Sequence, residues 1–156
     1  MSDTEYLQKA IDLAATKSKN GDRGPFGAIV VMDEKIIAEA WNEVWETKDP
    51  TAHAEVMAIR KACRKTGYHE LKGATMYASC EPCPMCLGAI YWARIDKVVY
   101  AAGRDDAAKS GFDDAIIHED VCKPDREKRI LFHQELVEQG RKVFDDWNKN
   151  PDKKMY

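Results

Sequence analysis

The segments His53-Ala54-Glu55 and Pro82-Cys83-Pro84-Met85-Cys86 are the part of the sequence that decides the fold. They supply one imidazole, two thiols and one nearby carboxylic acid. Imidazole and thiolate are ligands that zinc prefers, and three protein ligands leave the fourth tetrahedral position open, as a catalytic ion needs. Glu55 is then free to move protons. The two segments therefore predict one zinc ion per chain, held by His53, Cys83 and Cys86.

The spacing of these residues also predicts how they are placed. Cys83 and Cys86 are three apart, so on a helix they share one face. Pro84 fits the first turn of that helix, where the positive end of the helix dipole favours thiolate over thiol. His53 is predicted to open another helix, with Asp49 or Thr51 as its cap. The zinc site is therefore expected between two helix amino termini.

The hydrophobic pattern around these segments predicts one α/β unit. After a first helix the order is β-β-α-β-α-β, which indicates a mixed central sheet with helices on both faces, a three-layer α/β/α fold. We expect residues 1–156 to form a single domain, with a further helix near 137–148 and residues 150–156 as a polar carboxyl-terminal tail. The predicted helices are 4–19, 53–66 and 84–93, and the predicted strands are 27–32, 35–41, 74–79 and 97–102.

Composition narrows the class of protein. Apolar residues make up 44% and charged residues 33% of the 156 positions, which is typical of a globular chain. No apolar run reaches the roughly 18 residues of a membrane span, and no signal peptide is expected. Five cysteines, three of them within seven positions, argue against a disulfide framework and favour a metal site in a reducing cytoplasm. A net charge of −3 weighs against a nucleic-acid partner.

From about Gly24 to Gly111 the chain resembles the cytidine deaminase superfamily, on the branch that contains tRNA adenosine deaminases and small guanine deaminases. That resemblance implies a cytidine deaminase-like fold and a zinc site that activates water, with Glu55 as the general acid/base. It also implies that Asn42 hydrogen-bonds the base. The matching segments are Gly24-Pro25-Phe26-Gly27-Ala28, Asn42, Thr51-Ala52-His53-Ala54-Glu55 and Ser79-Cys80-Glu81-Pro82-Cys83-Pro84-Met85-Cys86.

Two later segments resemble the compact bacterial guanine deaminases. They are Gly111-Phe112-Asp113-Asp114 and Lys153-Lys154-Met155-Tyr156. In that family the second aspartate of the first segment contacts the substrate, which assigns substrate binding, and a second proton transfer, to Asp114. A carboxylate suits guanine because guanine presents N1–H and its exocyclic amine side by side. The resemblance therefore implies hydrolytic deamination of guanine to xanthine and ammonia.

The remaining pocket candidates are aromatic. Phe26 is expected to stack on the base, although core packing explains it equally well, and Trp92 is a weaker candidate that could be a core residue. By composition alone Tyr156 belongs to a frayed terminus. The family resemblance instead implies that it closes the pocket, and that the carboxyl-terminal segment can cross to the partner subunit of a homodimer.

Other interpretations stay open. A Cys-x-x-Cys pair can form a redox site or a closed structural zinc site, for which Cys80 offers a fourth ligand; the chain would then be a zinc-stabilised binding module. Among enzymes, the alternatives are deamination of tRNA adenosine, of cytosine or of a triazine. A basic helical face would serve tRNA binding but is better explained as a solvated surface. It consists of Arg60, Lys61, Arg64 and Lys65.

Overall fold

The computed structural model describes residues 1–156, which divide into two compact units, residues 1–114 and 115–156. The prediction of a single domain with a tail at 150–156 stays a prediction. The first unit contains every strand and the predicted zinc ligands. Its elements are α1 (Asp3–Ser18), β1 (Gly27–Met32), β2 (Lys35–Trp41), α2 (Val44–Thr47), α3 (Ala54–Thr66), β3 (Thr75–Cys80), α4 (Pro84–Trp92), β4 (Lys97–Ala102) and α5 (Arg104–Lys109).

The four strands form one mixed sheet in the order β2-β1-β3-β4. Strand β1 is antiparallel to both β2 and β3, whereas β3 and β4 are parallel. The β1–β2 hairpin turns at Asp33 and Glu34, which both have positive φ, 48° and 59°. That conformation is typical of a two-residue hairpin turn, whose twist matches that of the strands. The sheet confirms the predicted mixed topology.

Strand β1 is apolar along its whole length because both of its faces are covered. Ala28 and Val30 face a core built with α3 and α4, while Ile29 and Val31 face Tyr6 and other residues of α1. The sheet therefore lies between α1 on one side and α3 with α4 on the other. This arrangement confirms the three-layer α/β/α prediction.

A close approach between α1 and β1 fixes the chain just after Phe26. A Cβ on Gly27 would lie 2.4 Å from the carbonyl oxygen of Ala10, so only glycine fits there. The Gly27 N–H donates to the buried Ser79 Oγ at 3.0 Å. Strand β1 is thereby held to α1 and to β3 at the end where the candidate site begins.

The second unit contains α6 (Ala115–Val121), a 3₁₀ turn (Asp125–Glu127) and α7 (Val137–Lys149). Asp120 accepts from the backbone N–H and the guanidinium of Arg129, both at 2.9 Å. The α7 prediction is confirmed, but α2, α5 and α6 were not predicted, because four to seven residues are too few to show a helical period. None of the helices is both long enough and apolar enough to cross a membrane.

Candidate metal centre and active site

Two of the predicted ligands occupy the same position in different helices. His53 is the N-cap residue of α3 and Cys83 is the N-cap residue of α4, both with extended backbone. Cys86 follows in the first turn of α4, after Pro84. The ligands therefore meet between two helix amino termini, as the sequence predicts. The prediction that Asp49 or Thr51 caps α3 is wrong, because His53 itself holds the cap position.

The spacing of the ligand atoms fits zinc. His53 Nδ1 lies 3.6 Å from Cys83 Sγ and 3.5 Å from Cys86 Sγ, and all three ligand atoms lie within 4.8 Å of one another. A tetrahedral ion with Zn–N of about 2.0–2.1 Å and Zn–S of about 2.3 Å separates nitrogen from sulfur by about 3.6 Å. The three side chains can therefore hold one zinc ion without rearrangement.

The candidate zinc site has three protein ligands, His53, Cys83 and Cys86, and not four. Cys80, the candidate fourth ligand, is buried at the end of β3 with its Sγ 3.8 Å from the carbonyl oxygen of Gly103. It is not a member of the ligand group. A three-ligand site keeps one coordination position for water or substrate, which is the arrangement of catalytic rather than structural zinc.

The thiols of Cys83 and Cys86 have pKa values shifted in opposite directions. The neighbouring Cys86 side chain lowers the pKa of Cys83 to about 4; His53 acts in the same direction and burial opposes it. The same contact with Cys83, together with burial, raises the pKa of Cys86. Cys83 in turn raises the pKa of His53 despite partial burial. The pair therefore presents a thiolate beside the imidazole even before a cation neutralises the site.

Glu55 lies in the first turn of α3 and is only 7% exposed. Burial is the main cause of its raised pKa. Its carboxylate is close enough to the Cys86 thiol to raise the pKa of that thiol, so it lies beside the ligand group. A carboxyl group with a raised pKa beside the metal ligands can both accept and return a proton. Glu55 thus has the position and environment of a general acid/base.

Asn42, Phe26 and Gly24 lie together at the end of the β1–β2 hairpin. The Asn42 backbone N–H donates to the carbonyl of Phe26 at 3.1 Å, and Asn42 Oδ1 accepts from the N–H of Val44 at 3.3 Å. A Cβ on Gly24 would lie 3.0 Å from the Phe26 ring and 3.4 Å from Asn42 Cγ. The glycine therefore lets the aromatic ring and the amide come together, as recognition of a flat base requires.

The segment 111–114 contacts Phe26 through an aromatic pair. Phe112 meets Phe26 edge to face, with ring centroids 5.0 Å apart. Gly111 has a φ of 91°, which turns the chain after α5, and Asp114 is partly buried at the end of this segment. Phe112 was missed as a site residue from sequence. Its place in the Gly111-Phe112-Asp113-Asp114 segment was the available signal.

Glu81 is a second residue that sequence reasoning missed. It lies between the end of β3 and Cys83, and its Oε2 accepts from the N–H of Arg104 at 3.2 Å. Its own N–H donates to Ala102 at 2.9 Å. These bonds join the ligand-bearing loop to the start of α5, the helix that leads to Phe112.

Two of the predicted pocket residues have exposed side chains. Trp92 is 61% exposed at the carboxyl end of α4, six positions after Cys86 and therefore about 9 Å further along the helix axis. Tyr156 ends the second unit and is 74% exposed. Their roles in the pocket stay predictions, as do the substrate roles of Asn42, Phe26 and Asp114.

Among known proteins, one relative matches the whole chain and another matches about two thirds of it. Guanine deaminase from Bacillus subtilis is 48% identical over 156 residues, all of both chains, and its crystal structure superposes with a TM-score of 0.96 over 100% of this chain and 99% of that one. The tRNA-specific adenosine deaminase of Aquifex aeolicus is 43% identical over 98 residues, 63% of this chain and 65% of its own.

A guanine deaminase from Nitrosomonas europaea is more distant, at 30% identity and a TM-score of 0.65 over 70% of this chain and 64% of that one. Residues 1–102 match the model of the cytidine and deoxycytidylate deaminase zinc-binding region. That range includes the three ligands and Glu55. On the ligand geometry, the fold and these matches, the chain belongs to the cytidine and deoxycytidylate deaminase family.

Proposed function

We propose that this chain is a zinc-dependent guanine deaminase, which converts guanine and water to xanthine and ammonia. One observation carries the proposal. The three-ligand centre with its buried Glu55 occurs in a chain that matches a guanine deaminase over its whole length, including residues 115–156. The match to a tRNA-specific adenosine deaminase covers only 63% of the chain.

Glu55 performs the proton transfers. Zinc, when bound by His53, Cys83 and Cys86, supplies a Lewis acid that lowers the pKa of water. Glu55 accepts a proton from that water and passes it to the ring nitrogen next to the attacked carbon. It then takes the remaining proton from the hydroxyl group that has added to the carbon and delivers it to the departing amine, which leaves as ammonia while the carbonyl forms. The burial that raises its pKa suits both directions of transfer.

Recognition of guanine requires acceptors for its adjacent N1–H and amine donors. Asp114 would supply them and would relay the second of these two protons from Glu55 to the leaving amine. The Asn42 amide, with a donor and an acceptor, would bind another edge of the purine. Phe26 would pack against the flat face of the base. Support comes from the contacts that gather Asn42, Phe26 and the 111–114 segment.

A homodimer would complete the site. Large apolar side chains are exposed on α4 and on the second unit, which an isolated soluble chain rarely tolerates. We expect the carboxyl-terminal segment to cross to the partner subunit, where Tyr156 closes the pocket. The exposed residues are Leu87, Tyr91, Trp92, Ile130, Leu131, Val143 and Phe144.

A reducing compartment is part of the same proposal. All five cysteines are free thiols in the structure. Free thiols that include the zinc ligands are suited to the cytoplasm, where purine bases are salvaged or degraded.

The deciding experiment measures ammonia release from guanine, adenine, cytosine and a triazine, and inosine formation in an anticodon stem-loop. We expect guanine to be deaminated with the highest kcat/KM. The Asp114→Ala variant should keep its zinc and lose most activity on guanine. Deamination of the stem-loop by a wild-type enzyme that leaves guanine untouched would replace this proposal with tRNA adenosine deamination.

The structure gives that alternative little electrostatic support. Two of the four basic residues on α3 have partners within the chain. Arg60 pairs with Asp49 at 3.3 Å, and Lys61 lies 3.5 Å from Glu43 with its ammonium over the Trp41 ring. These cations are partly neutralised, so the face is less suited to phosphate than its sequence indicates.

A further inference from the structure

His53 and Cys83 are both N-cap residues, but neither side chain forms a capping hydrogen bond to its helix. An N-cap side chain ordinarily accepts a hydrogen bond from the first turn and so fixes how the chain enters the helix. The side chains of His53 and Cys83 are directed to one another instead, with His53 Nδ1 3.6 Å from Cys83 Sγ. Each helix entry must therefore be held by other residues.

For Cys83 the holding residue is Pro84. Proline has a fixed φ, and it restricts the preceding residue to extended backbone. Cys83 has that conformation, with φ −66° and ψ 168°. His53 adopts nearly the same conformation, φ −68° and ψ 155°, but Ala54 follows it. Alanine imposes no such restriction, so the backbone of His53 is held from elsewhere.

Hydrogen bonds in the loop before His53 hold its backbone in place of a proline. Asp49 Oδ1 accepts from the backbone N–H of Thr51 at 2.8 Å and from its hydroxyl at 2.6 Å. The Ala52 N–H donates to the carbonyl of Asp49 at 3.1 Å, and the His53 N–H donates to that of Thr51 at 2.8 Å. These are successive tight turns, organised by one aspartate side chain. They end at the metal ligand.

Arg60, on α3, donates hydrogen bonds to the loop that precedes this helix. Two turns along α3, its guanidinium donates to Asp49 Oδ2 and to Thr51 Oγ1, both at 3.3 Å. The Arg60 and Asp49 side chains are 42% and 35% exposed, so the ion pair contributes little to global stability. Its contribution is geometric, because it fixes the loop relative to the helix axis.

We propose that Asp49 and Arg60 are positioning residues for zinc, which hold the loop 49–53 so that His53 Nδ1 stays aimed at the thiols. Neither residue touches the ligand atoms. Their loss should widen the range of His53 orientations and speed the release of zinc, while the fold and the two cysteine ligands persist. The inference depends on the zinc centre and not on the substrate, so its failure would leave the guanine assignment untouched.

The test follows zinc transfer from the holoenzyme to a chromophoric chelator. Asp49→Ala and Arg60→Gln should release zinc about 10-fold faster than wild type, the lower end of the effect of outer-shell residues on metal sites. Asp49→Asn should be intermediate, because its amide oxygen still accepts from Thr51 while the ion pair is lost. Arg64→Gln, an exposed change one turn further along α3, is the matched control and should release zinc at the wild-type rate.

Hydrogen exchange on the zinc-loaded proteins separates positioning from general destabilisation. The expected result is faster exchange at residues 51–54 with unchanged exchange in β1. Zinc release no faster than wild type in Asp49→Asn and Arg60→Gln would overturn the proposal, and the isosteric Asp49→Asn keeps it testable if Asp49→Ala fails to fold. Equal acceleration of exchange in β1 and in the loop would overturn it as well.

Discussion

The rings of Phe26 and Phe112 meet edge to face, with centroids 5.0 Å apart and an interplanar angle of 85°. Phe26 directly precedes β1 and Phe112 follows α5, so this pair joins two loops that are distant in sequence. The contact fixes the segment that ends at Asp114 beside the residue expected to stack on the base.

Removal of this contact should weaken guanine binding. Phe112→Ala deletes an aromatic pair that contributes about 1 kcal/mol. If that energy orders the segment for substrate, KM for guanine rises roughly 5-fold. Steady-state kinetics measures it, with Phe112→Tyr as the control that keeps the ring. An unchanged KM in the alanine variant, with zinc retained, would mean that the pair has no part in substrate binding.

Glu55→Gln should separate chemistry from binding. The amide has the size of the carboxyl group but cannot carry the proton, so kcat should fall at least ~10²-fold, while zinc content and guanine affinity are kept. Metal analysis, equilibrium binding and single-turnover kinetics measure the three quantities. Near-normal turnover would remove Glu55 from the mechanism.

Loss of either thiol ligand should remove the metal. Cys83→Ala and Cys86→Ala each leave two ligands, which is too few for tight binding of zinc, so both metal and activity should be lost. Cys63→Ala is the matched control, because Cys63 lies on α3 outside the ligand group. Elemental analysis decides the outcome: full zinc content in either ligand variant contradicts the assignment.

Deletion of residues 153–156 tests the role of the tail. The truncated protein should fold and bind zinc but deaminate guanine poorly, because the pocket stays open to water. Mixing it with a full-length Glu55→Gln protein under conditions of subunit exchange should restore part of the activity if the tail acts in trans. Full activity after truncation would exclude closure by Tyr156, and absence of rescue with verified exchange would exclude only the trans arrangement.

The contact of Asp3 with β3 and β4 should make stability depend on pH. The hydrogen bond from Lys97 is the main cause of the lowered pKa of Asp3, and the 2.6 Å bond from the Tyr77 hydroxyl adds to it. Since the folded pKa lies below the ordinary value of 3.8, this stabilisation is present above that pH and is lost as the pH falls through the folded pKa.

Urea unfolding of wild type and Asp3→Asn at several pH values measures this contribution. The variant should be less stable near neutral pH, and the difference should shrink as the pH falls below 3.8. Asp12→Asn, an exposed change on the same helix, is the control. A difference between wild type and Asp3→Asn that is constant over the whole range would contradict the linkage.

The sequence by itself determined the strands of the first hairpin and the types of residue that can bind zinc. Both strands of the first hairpin, 27–32 and 35–41, were predicted at the bounds that the structure has, because each is a local apolar run around two turn residues. The ligands followed from residue type and spacing, since Cys83 and Cys86 are three apart on one helix. Such features depend only on neighbours in the chain.

Only the tertiary structure decided which distant residues meet. Nothing local indicates that Phe112 packs on Phe26, that Glu81 joins Arg104, or that Arg60 reaches back to Asp49. The cap of α3 was also mispredicted, because Asp49 has a suitable side chain and position by local rules. Its Oδ1 accepts from the backbone N–H and the hydroxyl of Thr51 instead, and His53 holds the N-cap. Two local rules, a turn and a helix cap, compete for the Asp49 side chain, and only the tertiary contact with Arg60 shows which one applies.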